Sequence, residues 1–319
     1  MVEEPLNRIV RLALILIALG MTVSACAPAP TAPVRIGVLP ILDALPMYVA
    51  EAEGYFADAG LTVEFVPAAS AAERDQLMQA GQIDGMINDL VSTMLYNQAG
   101  RQIVVVRLAR SATSTFPQYR ILASKDSLLT TPADLAGVPI GISEGTVIAY
   151  VTERLLQAEG LAPEDIVGVA VPKISDRMAL LDSGELQAAT LPDPLSSLAL
   201  QGGARLIIDD TAHPEYGLSL ISFRAAFAEE SPRSVRAFLA AVEKAVVAIN
   251  ADNTRWNGLL TDKQLVPAPV LESYQIPVFP IASVPTEAQF ADVLAWAQAK
   301  GLMTADVSYS ASVDESYLP

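Results

Sequence analysis

From Val34 onward the chain alternates short apolar, β-branched runs with stretches whose apolar positions recur at helical spacing. The segment 34–39 (VRIGVL) predicts a strand, and 45–60 (LPMYVAEAEGYFADAG) predicts a helix stopped by Gly60. A strand at 62–67 and a helix at 71–81 follow, then 83–89, a helix at 91–100 and a strand at 103–109. A second cycle begins with a strand at 119–124 and a short helix at 131–137, with Thr131 as its cap and Pro132 at its first position. It continues through 138–143, a helix from Thr146 to about Glu159, and the segments 165–171, 175–184, 186–191, 193–203 and 205–209. Beyond 218–224 the pattern is mostly helical, at 232–252, 266–275 and 286–301. Strands alternating with helices of this length predict right-handed βαβ units and mainly parallel sheets. Two such cycles and a helical tail make two α/β lobes: 34–116, then 117–215, then a return to the first lobe over 216–319. The C-terminal helices are expected to pack on lobe 1.

The residues ahead of this pattern are of a different kind. Arg8 and Arg11 precede an uncharged stretch from Leu12 to Ala25 that is strongly apolar from Leu12 to Leu19. This run fits the roughly 7–15 residue core of an export signal and falls short of the roughly 20 needed to span a bilayer. It carries no polar face of the kind a core helix would need, and Glu3 and Glu4 are the features that fit the signal reading least. The residues Val23, Ser24, Ala25 and Cys26 resemble the lipobox of bacterial lipoproteins. That resemblance implies a signal peptide over 1–25, a diacylated Cys26, and a lipidated, extended tether over 26–33 (CAPAPTAP). Cys26 is the single cysteine of the chain, so no intrachain disulfide exists, and no neighbouring base is present to make it a nucleophile. The protein is therefore expected to be exported and lipid-anchored to a bacterial membrane.

Charge narrows the partners. The net charge is −16, and removing 1–25 takes away two acids and two arginines, leaving it unchanged. So acidic a body is a poor partner for nucleic acid and for anionic headgroups, which leaves the anchor as the membrane link. With one histidine and no metal-ligand cluster, no metal and no cofactor are expected.

Four segments, in order, carry a family resemblance. Residues 50–66 contain Gly54, Tyr55, Phe56, Gly60, Leu61 and Glu64; 81–90 (GQIDGMINDL), 131–161 and 179–209 follow. Together they resemble the sulfonate, nitrate and thiamine-precursor (NMT1/THI5-like) solute-binding proteins of ABC importers, over about 34 to 210. The resemblance implies a two-lobe periplasmic binding protein type II fold that closes on a small solute. It also implies docking on a permease with its ATPase, action as a monomer, and no enzymatic activity. The same two-lobe scaffold also serves enzymes of the pyrimidine-synthase and menaquinone-pathway kind. Against these stand the export signal and the absence of further cysteines.

Open α/β sheets bind ligands beyond the carboxyl ends of their strands, which directs attention to the strand-to-helix turns. The first turn holds Leu42, Asp43 and Ala44, where Asp43 is either a helix cap or a ligand contact. Asn88 and Asp89 end the third strand, and Ser143, Glu144, Gly145 and Thr146 form a turn that could cradle a ligand at a helix N-terminus. Asp193 stands between two prolines, as a contact or as part of an exposed turn. Arg110 is the one basic residue near these expected tips, free to bind an acid group of the solute or to pair with a rim acid. Phe116, Tyr119 and Tyr150 are candidates for stacking on a flat ligand, or for hinge and core packing. Four rim carboxylates against one arginine would repel an anion. The census therefore favours a nitrogenous heterocycle such as a thiamine pyrimidine precursor, with alkanesulfonate, taurine or nitrate as the alternative.

Overall fold

The structure, a computed structural model, describes residues 32–319; the expected signal segment and Cys26 lie outside the described residues. The strands are β1 (Val34–Val38), β2 (Val63–Pro67), β3 (Gly85–Asn88), β4 (Ile103–Arg110), β5 (Tyr119–Ala123), β6 (Pro139–Ile142), β7 (Val167–Ala170), β8 (Ala188–Pro192), β9 (Arg205–Asp209) and β10 (Ser219–Arg224). They form two five-stranded sheets, ordered β2-β1-β3-β10-β4 and β7-β6-β8-β5-β9. In each sheet the first three strands run parallel and the fourth runs antiparallel to its neighbours. The reversed strands are the two that arrive from the other lobe: β5 opens lobe 2 and β10 returns to lobe 1. Both sheets are thus mixed and share one plan.

The helices that matter below are α1 (Leu45–Ala52), α2 (Ala71–Gln79), α3 (Leu90–Asn97), α4 (Val147–Ala158), α5 (Ile174–Ser183), α6 (Leu195–Gln201), α7 (Pro232–Ala251) and α8 (Glu287–Ala299). The first predicted helix is interrupted after Ala52, because Gly54 takes a left-handed conformation at φ 74° and restarts the chain as a single turn, Tyr55–Asp58. Such a φ suits glycine and is costly for a residue with a side chain. The expected helix over 266–275 shortens to Ala268–Leu271.

Helix α7 buries Val235, Phe238, Leu239, Val242 and Val246 in the lobe 1 core, where Phe238 stacks on Phe56 at 5.2 Å. Each fully buried apolar side chain of this size contributes about 1.5–3 kcal/mol. Helix α8 departs from the expectation of packing on lobe 1 alone. Its residues Phe290, Val293 and Trp296 join a cluster that takes in Leu90 and Met94 of lobe 1 and Ile148 and Leu155 of lobe 2. Around that cluster Trp296 Nε1 donates to Glu153 (2.9 Å), Lys300 pairs with Glu153 (2.6 Å) and Arg154 pairs with Asp292 (2.8 Å).

Two segments cross between the lobes, 111–118 and 210–218, and Asp210 ties them together. Its Oδ1 accepts from the backbone N–H groups of Gln118 (2.8 Å) and Tyr119 (3.1 Å), while Oδ2 has no hydrogen-bond partner among the described residues. Burial pushes this carboxyl up to about 7, against the pull of the two N–H groups and of Arg110. A carboxyl raised in the folded state stabilises the fold fully below its unfolded pKa, and that contribution is lost as pH rises through the folded pKa. The melting temperature of the wild type is therefore expected to fall between about pH 5 and about pH 8. Asp210→Asn, which mimics the neutral acid and keeps the accepting oxygen, should flatten that slope. Calorimetric melting of both proteins across the range checks this.

Candidate functional site

A cavity of about 60 Å³ lies between the lobes. Its wall comes from the carboxyl ends of strands and the residues that follow them: Leu39 after β1, Asn88 and Asp89 at the end of β3, Ser143 after β6, Pro192 at the end of β8. This is the position at which open α/β sheets bind ligands. The lining is largely apolar, with Ile41, Ile87, Ile148 and Ile174 among its residues, and it is small enough to hold a compact group of a few heavy atoms.

Local sequence sets the polar groups. Asp89 caps α3, its carboxylate accepting from Ser92 N–H at 2.8 Å. Burial raises the Asp89 carboxyl above the usual range, although Arg74 and the Ser92 and Val147 N–H groups oppose the shift. Thr146 caps α4: its hydroxyl accepts from Ile148 N–H at 3.2 Å and donates to the Ser143 carbonyl at 2.8 Å. Asn88 donates to Thr93 Oγ1 at 3.0 Å and accepts from Ser222 at 2.7 Å, so it is held rather than free.

Two residues absent from the sequence reading dominate the wall: Arg74 on α2 and Arg177 on α5. Both are almost wholly buried, 2% and 0% exposed. Arg74 donates from Nη1 to the Ile87 carbonyl (3.1 Å) and from Nε to Asp75 (2.9 Å). Arg177 donates from Nε to the Thr190 carbonyl (2.8 Å) and from Nη1 to the Val171 carbonyl (2.6 Å). In both residues Nη2 has no hydrogen-bond partner among the described residues; Arg74 Nη2 lies 2.8 Å from Asp75 Oδ1, but without the alignment of a hydrogen bond. Arg177 pairs with no carboxylate among the described residues, and burial pushes its guanidinium down to about 10. A guanidinium out of water keeps its full appetite for an acceptor when one N–H has no partner and no carboxylate pairs with it.

A strand glycine stands against the stem of each arginine. A Cβ on Gly37 of β1 would sit 2.6 Å from Ile83 and 3.6 Å from the Arg74 stem. One on Gly141 of β6 would sit 2.6 Å from Leu186 and 3.3 Å from the Arg177 stem. The bare backbone at Gly141 leaves room for the Arg177 stem, whereas at Gly37 the space is taken by Ile83 and the Arg74 stem sits at ordinary contact distance.

The other expected site residues are placed differently. Leu42, Asp43 and Ala44 form a buried 3-10 turn outside the cavity lining. Asp43 does not cap α1; its carboxylate turns inward to accept from Ser219 (2.5 Å) and Gln118 (3.3 Å), and it pairs with Arg110 at 3.4 Å. Arg110 is spent on that pair, on Asp193 at 3.7 Å and on the Pro117 carbonyl at 3.2 Å. Asp193 is buried rather than on an exposed turn, and it accepts from Arg120 (2.8 Å), Ser197 (2.6 Å) and the Tyr274 hydroxyl. Glu144 points to solvent, while Ser143 and Thr146 of the same turn line the cavity and Gly145 takes φ 65° between them. Tyr119 lines the cavity; Phe116 lines a second, more open cleft of about 340 Å³ whose charged groups, Arg120 and Asp193, pair with each other. Tyr150 faces α8 instead, donating to Asp292 at 2.5 Å. Among the described residues no group of three or more His, Cys, Asp and Glu is placed to hold a metal ion.

Comparison with known proteins places these features in a family. Residues 42–254 match the family described as NMT1/THI5 like. A protein of Escherichia coli (strain K12) named for binding aliphatic sulfonates is 29% identical over 155 residues, covering 48% of this chain and 48% of its own; the match thus spans about half the length of that relative. A protein of Geobacillus kaustophilus named as an uncharacterized methyltransferase is 31% identical over 145 residues, or 43% of this chain and 67% of its own. The fold is similar to that of the alkanesulfonate-binding protein of Xanthomonas axonopodis pv. citri bound to MOPS. That likeness has a TM-score of 0.74 and 22% identity, and it covers 90% of this chain and 99% of the other.

The Asp43–Arg110–Asp193 group joins both lobes outside the cavity lining, and breaking a buried pair by removing one partner leaves a charge uncompensated. Asp43→Ala is expected to lower unfolding stability by about 3 kcal/mol. An exposed acid such as Glu144, changed to alanine, should shift it by under about 0.5 kcal/mol. Denaturant titration of both variants measures the difference.

Proposed function

The chain belongs to the NMT1/THI5-like family, and from that premise we propose that it is the solute-binding component of an ABC importer. On this reading its two lobes close on a small solute that carries an oxyanion, of the aliphatic sulfonate class. One observation carries the reading: Arg177 is buried at the cavity wall with a free Nη2 and without a carboxylate partner among the described residues. The preference for a nitrogenous heterocycle rested on four rim acids facing one arginine. Asp43 and Asp193 instead neutralise Arg110 away from the cavity, Glu144 is exposed, and two arginines that the census left out line the wall. Asp89 is the one of the four that lines it. The relatives named for binding sulfonates support the same choice. The apolar lining then serves the alkyl part of the solute, and the small volume suits a head group better than a ring system.

Isothermal titration with short alkanesulfonates should show binding to the wild type. Arg177→Gln, which keeps a side-chain donor, should weaken that binding by about 100-fold, the loss of one buried charge-assisted contact. Unchanged binding in a variant that still melts cooperatively would overturn the assignment of Arg177.

The same reading places the protein outside the cytoplasm beside its permease and ATPase, held by a lipid on Cys26. Cys26→Ser should move the protein from the membrane fraction to the soluble fraction without altering solute affinity. Retention of the variant in the membrane fraction would count against the lipid anchor and leave the cavity assignment intact.

A further inference from the structure

The two cavity arginines occupy equivalent positions in the two lobes. Each lies within the first turn and a half of its helix and donates to the carbonyl of the residue 13 positions further on, Arg74 to Ile87 and Arg177 to Thr190. Each stem lies against a strand glycine, Gly37 or Gly141, and each helix stops near a glycine with positive φ, Gly81 or Gly184. In sequence the match runs Glu73-Arg74-Asp75 against Asp176-Arg177-Met178.

The equivalence breaks at the third of these positions. Asp75 accepts from Arg74 Nε at 2.9 Å and stands 2.8 Å from its Nη2, so the lobe 1 arginine carries its own counter-charge. Asp75 is held there by Ser92, whose hydroxyl donates to it at 3.2 Å. Met178 offers Arg177 no charge, and Asp176 is turned away to an exposed pair with Lys173 at 3.4 Å. Both arginines line the cavity, but among the described residues only the lobe 2 arginine lacks a balancing carboxylate.

We infer that Asp75 sets the charge of the solute: by neutralising one of two equivalent arginines, it removes one positive charge from the cavity wall, so that a monoanion is taken and a dianion of the same size is turned away. The inference rests on the anion reading of the cavity. In such a pair Arg177 supplies the charge and Arg74 supplies direction, its Nη2 remaining a donor though its charge is balanced. Asp89, on the same wall, adds to the bias against a second negative charge. Asp75 acts through Arg74, so it is a positioning and charge-setting residue.

Methanesulfonate and sulfate make the test, because they share a tetrahedral head and differ by one charge. Titration calorimetry on the full chain should show methanesulfonate bound at least about tenfold more tightly than sulfate. Asp75→Asn keeps an oxygen for Arg74 Nε and Ser92 and removes only the charge. It should shift the sulfate-to-methanesulfonate affinity ratio towards sulfate by at least about tenfold, and Asp75→Glu should restore the wild-type ratio. Asp75→Asn weakening both anions equally, or leaving the ratio unchanged while binding persists, overturns the role of Asp75 and leaves the cavity an anion site. Binding of neither anion by the wild type overturns the anion reading, and this inference with it.

Discussion

A guanidinium taken out of water costs several kcal/mol unless a charge meets it, and this fold is built around four arginines that are almost wholly buried. Arg107 meets Glu243 at 2.6 Å, joining β4 to α7 in the lobe 1 core. Arg110 lies between Asp43 of lobe 1 and Asp193 of lobe 2, at the point where the chain crosses between them. Arg74 meets its chain neighbour Asp75. Arg177 alone of the four is held only by carbonyls among the described residues. The Arg107 pair ties a helix to its sheet, the Arg110 pairs tie the two lobes, and the arginine without a carboxylate lies at the cavity.

The two lobes are two executions of one design. Both sheets place three parallel strands first and the incoming reversed strand fourth, and both lay an arginine from the crossover helix against a strand glycine. What differs is how they are fastened. On one flank α8 lays an apolar surface across both lobes and adds the Arg154–Asp292 and Lys300–Glu153 pairs. On the other, Leu198 of α6 packs against the lobe 1 core, Gln201 Nε2 donates to the Pro269 carbonyl at 3.0 Å, and Tyr274 donates to Asp193.

Most of this architecture was legible in the chain, because periodicity reports which face is buried. The alternation from Val34 to Asp209 gives the elements of both lobes to within a few residues, and the cavity-lining Asn88, Asp89, Ser143 and Thr146 stand out in the sequence because they end strands or cap helices. The arginines were missed for a physical reason. Arg74 and Arg177 sit inside helices that read as amphipathic surface segments, and an arginine there is usually solvated. The signal that exposes them is the internal repeat of Glu/Asp-Arg with a glycine seven positions later, at 74–81 and 177–184. Arg110 erred the other way: one positive charge among rim acids reads as a ligand contact, but pairing across lobes is decided by topology, which no local pattern reports. The span of α8 over both lobes was hidden for the same reason.

The cost of Arg177 also bears on how a two-lobed carrier would work. A solute shifts a conformational equilibrium only by as much as it prefers one state over the other. An anion held by Arg177 alone would bind a lone lobe nearly as well as a closed pair and would drive nothing. Because Arg74 and Arg177 come from opposite lobes and line one cavity, an oxyanion meets both only when the lobes are together. The charge left unbalanced in lobe 2 and the donor left unpaired in lobe 1 are separate deficits that a single group can satisfy at once. On the proposed reading that coincidence is what couples binding to closure, and it gives a buried, unpaired arginine a reason to persist where a well-packed apolar residue could be accommodated at less cost.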